Sequence, residues 1–366
     1  METHRKQLAS TLVLTSALIA AAATFLLPPS LQAQTQAKPN GIDPARLVKA
    51  NAGDAKSQYD LGTAYMGGFG VPQDYAKVAF WDRKAAEQGY AKAQADLGVM
   101  YELGSGVTQD YAEAVKWFRK AAEQGDVFAQ GNLGQAYATG RGLQQDYAQA
   151  AVWYRKAADQ GYAQAQFELG QLYTQGKGVP QDYAQGIVWI RKAAEQGDIA
   201  SELRLANLYT IGLGVPKDDT QGTFWARKAA EQGDAEGEEE LATSYDLGIG
   251  VPKDPAHAVF WYRKAAEQGN AQAQFELGAS YENGEGVPQD YAEAYFWLDL
   301  ATSGNLGAKF MQDEARKWRD EAASNLTKTL LLQTQERVRK WFEDHAVPPQ
   351  NDPMLPGLKR GGWNTR

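Results

Sequence analysis

A tryptophan returns every 36 residues through most of this chain. Trp81, Trp117, Trp153, Trp189, Trp225, Trp261 and Trp297 keep that interval, and Tyr65, Tyr101, Tyr137, Tyr173, Tyr209, Tyr245 and Tyr281 keep step with them. A fixed period of this length marks a stack of like supersecondary units in which each unit touches only its neighbours. A single unit is not self-sufficient: ordering a residue costs about 1–2 kcal/mol, whereas burying one Trp, Tyr or Leu returns about 1.5–3 kcal/mol. The units must stack, and both ends of the stack must be capped.

The block from Ala91 to Gly125 shows the unit almost in full and reads as two helices. Ala93, Leu97 and Met100/Tyr101 form an apolar stripe at helical spacing, and Tyr111, Ala114, Trp117 and Ala121 form a second one. Between them, Gly104-Ser105-Gly106-Val107 supplies glycines for a tight turn. Asp110 is the expected N-cap of the second helix, with Glu113 at capping-box spacing; Asp290 and Glu293 repeat the pair, and Asp74, Asp146 and Asp182 share the cap position. Gly125 closes the block at a helix C-terminus. Gly98 sits in mid-helix, at a cost of about 1 kcal/mol relative to alanine, and Gly62, Gly134, Gly170 and Gly278 recur there with Ala206 and Ala242 as substitutes. Small residues kept at such a cost predict a close helix approach. The repeated Arg-Lys-Ala-Ala-Glu segment reads as a solvated helix face with weak ion pairs.

Asp43-Pro44 predicts an N-terminal capping helix running to about Ala52. Beyond the repeats, Leu306 to about Ala323 and Thr327 to about Glu343 read as closing helices, the second with Leu331, Val338 and Trp341 on one face. The resulting plan is a leader over 1–33, a linker and capping helix over 34–53, seven repeats over 54–304, capping helices over 305–345 and a loose Pro/Gly-rich tail over 346–366.

The leader is read from Arg5 and Lys6, an uncharged apolar run from Leu12 to Leu27, and the small-residue exit at Leu31-Gln32-Ala33. That order is a secretory signal peptide with cleavage after Ala33, which predicts a periplasmic or secreted protein with no membrane span once the leader is removed; the alternative is a retained anchor. The absence of cysteine excludes disulfides and thiolate chemistry. A formal charge of −8 argues against nucleic acid as the partner.

The L-G-x-x-Y, G-x-G-V, D-Y-x-x-A and W-x-x-K-A-A-x-x-G elements together closely resemble the Sel-1-like repeat, a relative of the tetratricopeptide repeat, in seven copies. The resemblance implies an all-α fold: an α-solenoid in which antiparallel helix pairs coil into a right-handed superhelix, with seven 36-residue repeats plus terminal capping helices. It also implies that the first helix of each pair lines the concave side, and that the protein is an adaptor of the kind found in secretion, signalling and envelope biology. Lys217 and Lys253 in place of glutamine, together with Asp219-Thr220 and Pro255-Ala256, mark the fifth and sixth blocks as divergent.

If the first helices line a groove, its partner-binding residues are Tyr59, Phe128, Phe167 and Phe275, the amides Gln135, Gln171 and Asn207, and the acids Glu236, Glu239, Asp246 and Glu282. An extended peptide or helix would lie along the aromatic and amide positions with a basic portion at the acidic end. The alternative is that the phenylalanines pack between units. Some secreted members of the family are associated with penicillin binding or β-lactam hydrolysis, but here no serine precedes a lysine by three residues and His257 and His345 lie far apart. The expectation is therefore a monomeric, non-catalytic protein-protein scaffold without cofactor. Contact with the cell wall or its enzymes is the alternative, and hydrolysis by family association a weaker one.

Overall fold

The computed structural model describes residues 41–304, 306 and 309–345. The leader, the start of the linker and the tail therefore lie outside the described residues. Among the described residues there are seventeen helices and no strand, which makes the chain an all-α solenoid. Contacts divide it into two compact units between Gln145 and Asp146. The first holds α1 (Pro44–Asn51), α2 (Ala55–Gly67), α3 (Tyr75–Glu87), α4 (Ala91–Leu103), α5 (Tyr111–Glu123) and α6 (Val127–Thr139). The second holds α7 (Tyr147–Asp159), α8 (Ala163–Gln175), α9 (Tyr183–Ala194), α10 (Ile199–Ile211), α11 (Asp219–Glu231), α12 (Ala235–Leu247), α13 (Pro255–Glu267), α14 (Ala271–Asn283), α15 (Tyr291–Ser303), α16 (Lys309–Ser324) and α17 (Lys328–Asp344).

Each first helix is pinned by its leucine: Leu61, Leu97 and Leu133 in one unit, and Leu169, Leu205, Leu241 and Leu277 in the other, are fully buried. The glycine that follows lets the second helix of the same pair come close. A Cβ on Gly98 would collide with the Phe118 ring, and one on Gly170 or Gly278 would lie 2.6 Å from Ile190 or Leu298. The expected close approach is thus the seat of the residue after each tryptophan.

At the turn, Gly104 caps α4 in the left-handed conformation with φ 73°. Gly106, with φ 69°, lies against the Tyr75 carbonyl at the start of the preceding second helix, where no side chain fits. Asp110 caps α5 through the N–H groups of Ala112 and Glu113. The capping box is not closed from the other side, because the Asp110 N–H donates instead to the Tyr101 carbonyl at 2.9 Å. Glu113 pairs with Lys116, and Glu293 with Arg337.

Polar groups tie repeat to repeat. Gln94 is buried, donates to the Ala86 carbonyl at the end of α3 (2.9 Å) and accepts from Gln124 at the end of α5 (2.7 Å). Gln166 does the same between Ala158 and Gln196. The Arg-Lys segment is no mere solvated face. Arg119 donates to the Tyr137 hydroxyl of the next first helix at 3.0 Å and Arg227 to that of Tyr245 at 2.9 Å, while Arg83, Arg155, Arg191 and Arg263 meet Tyr101, Tyr173, Tyr209 and Tyr281 in the same way. The adjacent lysine lies over the tryptophan three residues before it, at 4.1 Å for Lys120 on Trp117 and 4.0 Å for Lys192 on Trp189.

The ends reuse these bonds. In the first unit α1, capped by Asp43, offers its Ala50 carbonyl to Gln58 at 3.0 Å, in place of a preceding repeat. In the second unit Gln312 of α16 donates to the Gly304 carbonyl at 2.7 Å, with the same eight-residue reach. Helix α16 thus acts as an eighth first helix, starting a little later than the sequence suggests, and α17 then lies over α15 with Arg337 4.6 Å above the Phe296 ring.

Two repeats break the amide pattern. Glu202 and Glu238 stand where Gln94 and Gln166 stand, are 2% exposed, and accept from Gln232 and Gln268. A carboxylate has no N–H to offer the Ala194 or Ala230 carbonyl, and burial pushes both groups upward from the usual carboxylate range. Glu238 has Lys264 at 3.9 Å; Glu202 has no cation in an ion pair with it among the described residues. Glu202→Gln should restore the missing donor and remove a buried charge, raising stability by about 1 kcal/mol. Urea unfolding followed by far-UV circular dichroism reads this as an increased midpoint, and an unchanged or lower midpoint would contradict it.

Candidate functional site

The solvent-facing side of the first helices is set by what the stripe leaves over. Counting from the buried leucine, the positions five, two and one before it and two after it lie outside that stripe, and their exposure differs from repeat to repeat. The residue immediately before the leucine is polar in every repeat: Asp60, Asp96, Asn132, Glu168, Arg204, Glu240 and Glu276. This column was missed by the position count used on the sequence alone. Its signal was present all the same, since no apolar residue ever occupies it.

In the first unit, Tyr59 is half-buried and donates to Asp96 at 3.0 Å, Phe128 is 59% exposed, and Gln135 is half-buried. The other expected site residues lie in the second unit, and three of them are not on offer to a ligand. Phe167 is 6% exposed and packs with Ile187, Ile190 and Leu205. Phe275 is buried with Trp318 of α16 beside it, the ring centres 6.0 Å apart. Glu282 is buried too, and its carboxyl feels Glu321 of α16. The closing helix α16 takes the place a ligand would need at Phe275 and Glu282, and Phe167 packs within the repeat stack, whereas Phe128 stays exposed.

What remains accessible in the second unit is polar. Gln171 of α8 is half-buried, with its side-chain oxygen unpaired among the described residues, and Asn207 of α10 is exposed. Arg204 of α10 is half-buried with its Nε unpaired. Helix α12 adds exposed Glu236 and half-buried Glu239, Glu240 and Asp246, and α14 adds half-buried Glu276. Glu239 accepts from Thr243 at 3.0 Å, and the Thr243 hydroxyl also meets that of Tyr262 at 3.0 Å.

The electrostatics follow from crowding. Desolvation, then Glu236 and Glu239, push Glu240 up to about 8; desolvation outweighs the hydrogen bond from Gln164 and brings Glu168 to about 7. Glu239 and Glu276 are raised for the same first reason. Five exposed or half-buried carboxyls lie on α12 and α14, and none forms an ion pair with a described cation. The arrangement is an acceptor-rich, cation-seeking surface beside two free-standing amides. Among the described residues no three ligating side chains come together to hold a metal. His257 bonds only to its own helix cap, Asp254, at 2.7 Å. Among the described residues no helix is long and apolar enough to cross a membrane.

The Sel1 repeat matches the chain at residues 55–90, 91–126, 127–162, 163–198, 199–234, 235–270 and 271–306. A Sel1 repeat protein from Oxalobacter formigenes is 35% identical, with 73% of this chain and 77% of that one covered and a TM-score of 0.62. A protective antigen of uropathogenic Escherichia coli strains displaying an SLR fold is 32% identical over 81% of this chain and 86% of that one, with a TM-score of 0.48. An immunity protein from Pseudomonas aeruginosa is 22% identical over 63% and 81%, with a TM-score of 0.36. No curated protein matches the sequence. Sel1 repeat proteins are generally protein-interaction scaffolds, and with its repeats matched from residue 55 to residue 306 the chain belongs to the Sel1 repeat family.

Proposed function

We propose that the protein is a non-catalytic adaptor of a cell envelope, exported by its leader, acting as a single chain without cofactor, and binding a basic segment of a partner protein on the first-helix face of its second unit. The observation that carries this reading is the set of carboxyls on α12 and α14 that form no ion pair among the described residues. The buried amides, the Arg–Tyr pairs and the aspartate caps all have partners within the chain; Glu236, Glu240 and Asp246 have no ion-pair partner among the described residues. Burial, then neighbouring like charge, raises Glu236 and Glu240 and costs stability, and a cationic ligand would relieve that cost. Gln171 and Asn207, at equivalent places in neighbouring repeats, supply donors and acceptors for an extended backbone leading to the acidic end.

The reading is tested with a panel of fluorescent peptides of graded lysine content, measured by polarisation at low and high salt. Basic peptides should bind, with affinity falling as salt rises. Glu236→Lys, Glu239→Lys and Glu240→Lys together should weaken them by at least about tenfold, at roughly 0.5–1 kcal/mol per charge. Equal binding by the wild type and the triple variant would remove the acidic face from the function.

The same groups set a pH dependence. Burial raises Glu168, Glu240, Asp96 and Asp82 to about 7, 8, 6 and 8, all above ordinary carboxylate values. The folded chain therefore holds more protons than the unfolded chain, so their contribution is full below about pH 4 and is lost as pH rises through the folded values. The helix caps act oppositely. Asp74 and Asp254 are held low chiefly by the backbone N–H groups they cap, and their contribution is lost as pH falls below about 4. Urea midpoints should be highest near about pH 5 and decline toward about pH 8, and Glu168→Gln with Glu240→Gln should flatten the decline. A midpoint that climbs steadily between those values would contradict the assignment.

A further inference from the structure

A second cation site is built into the first unit, around a residue that breaks the repeat rule. The position after the tryptophan sits on the small residue of the first helix, and in other repeats it holds Phe118, Tyr154, Ile190, Ala226, Tyr262 or Leu298. In the first repeat it is Asp82. Its side chain lies on Gly62, where a Cβ would collide with its carboxyl, and the residue is 1% exposed. Both carboxyl oxygens lack a hydrogen-bond partner among the described residues.

Gly62, on which Asp82 lies, follows Tyr59 by three residues on α2, so the carboxyl sits about one helical turn from that tyrosine. Burial and then the charge of Asp96 on α4 raise Asp82, and Asp82 in turn acts on the Tyr59 hydroxyl. Tyr59 donates to Asp96 at 3.0 Å, and its ring lies 5.1 Å from that of Tyr90. Tyr59, Tyr90 and Asp96 are each half-buried, so the cluster is reached from the surface, whereas Asp82 is buried behind it on the helix pair. Lys56, the cation on the same helix as Tyr59, is engaged with Asp60 at 2.8 Å. Among the described residues no cation forms an ion pair with Asp82 or Asp96; Lys92 of α4 acts on Asp96 only from beyond ion-pair distance. The donor set does not suit a metal, since fewer than three ligating groups converge. It does suit an organic cation whose methylenes lie against tyrosine rings and whose head donates to carboxylates.

We propose that Asp82, Asp96, Tyr59 and Tyr90 form a pocket for a cationic side chain of a bound peptide. The proposal rests on the reading of the chain as a peptide-binding scaffold, but it uses none of the residues of α12 or α14. Burial keeps the Asp82 carboxyl largely protonated at neutral pH, and a cation bound beside it favours the ionised form, so the pocket selects for charge and hydrogen-bond donors rather than for bulk. A norleucine side chain of the same length would leave both acids unpaired.

The test uses the full chain and capped pentapeptides Ala-Ala-X-Ala-Ala, with X as lysine, arginine or norleucine, followed by titration calorimetry. The lysine or arginine peptide should bind and the norleucine peptide should not; which of the two binds more tightly distinguishes ammonium from guanidinium. Asp82→Asn should weaken binding at least tenfold. Asp82→Phe, which installs the residue that Phe118 supplies over Gly98, should abolish binding while raising the thermal midpoint, separating a lost site from a lost fold. Glu239→Lys should leave this binding unchanged, so failure of the acidic face on α12 would not be confused with failure here. Undiminished binding to both Asp82 variants, equal binding of the norleucine peptide, or no binding of either cationic peptide would overturn the proposal.

Discussion

The buried amide of each first helix is the bond on which the stacking depends. A helix end leaves carbonyls without partners, and in a repeat array every second helix ends against the next unit, where water is scarce. Gln94 meets the Ala86 carbonyl with its N–H and takes the Gln124 N–H on its oxygen, so a single side chain joins the ends of two second helices through the first helix between them. Apolar packing alone would tolerate a slip of one unit past another. A buried donor and acceptor that must both be satisfied fixes the register. The bond appears again at the ends, from Gln58 of α2 to α1 and from Gln312 of α16 to the end of α15, where no full repeat exists to require it.

Period and stripe made the helices, the caps and the turn glycines legible, because those depend on residues close in sequence. What lay beyond reach was pairing across repeats. Arg119 looks like a surface arginine until Tyr137, eighteen residues on, is placed beside it. The lysines over the tryptophans were hidden for another reason, since they are three apart on one helix and read equally well as solvated. The site was only partly legible for a related reason. Phe275 and Glu282 satisfy the spacing of an exposed face, and they are buried because α16 covers them, which the repeat pattern cannot announce. The column before each leucine was legible in principle, since its unbroken polarity across seven repeats has no explanation inside a helix pair.

The closing helices show what an uncovered face of this array accepts. Phe224 and Phe260, one residue before their tryptophans, are 45% and 52% exposed, but the equivalent Phe296 falls to 6% beneath α17. There an arginine lies over the ring and bonds Glu293, and Gln335 reaches the Tyr295 hydroxyl at 3.2 Å. The array ends where a helix with its own outward polar side takes over the exposed position, which meets the requirement that a stack terminate on a soluble face.

Three of the departures from the local rules are made by a buried carboxyl. Asp82 replaces an apolar plug, and Glu202 and Glu238 replace a bonding amide. Each burial costs free energy that a commoner residue at the same repeat position would not, as the neighbouring repeats demonstrate with Phe118, Gln94 and Gln166. In a repeat protein the other copies are the control, so a costly departure at one copy cannot be ascribed to the demands of the fold. Positions where sequence and fold disagree are where function is expected to be found. Here they share one sign of charge, occur in both units, and leave acceptors without donors, so what the departures call for in common is a ligand that brings positive charge and N–H groups.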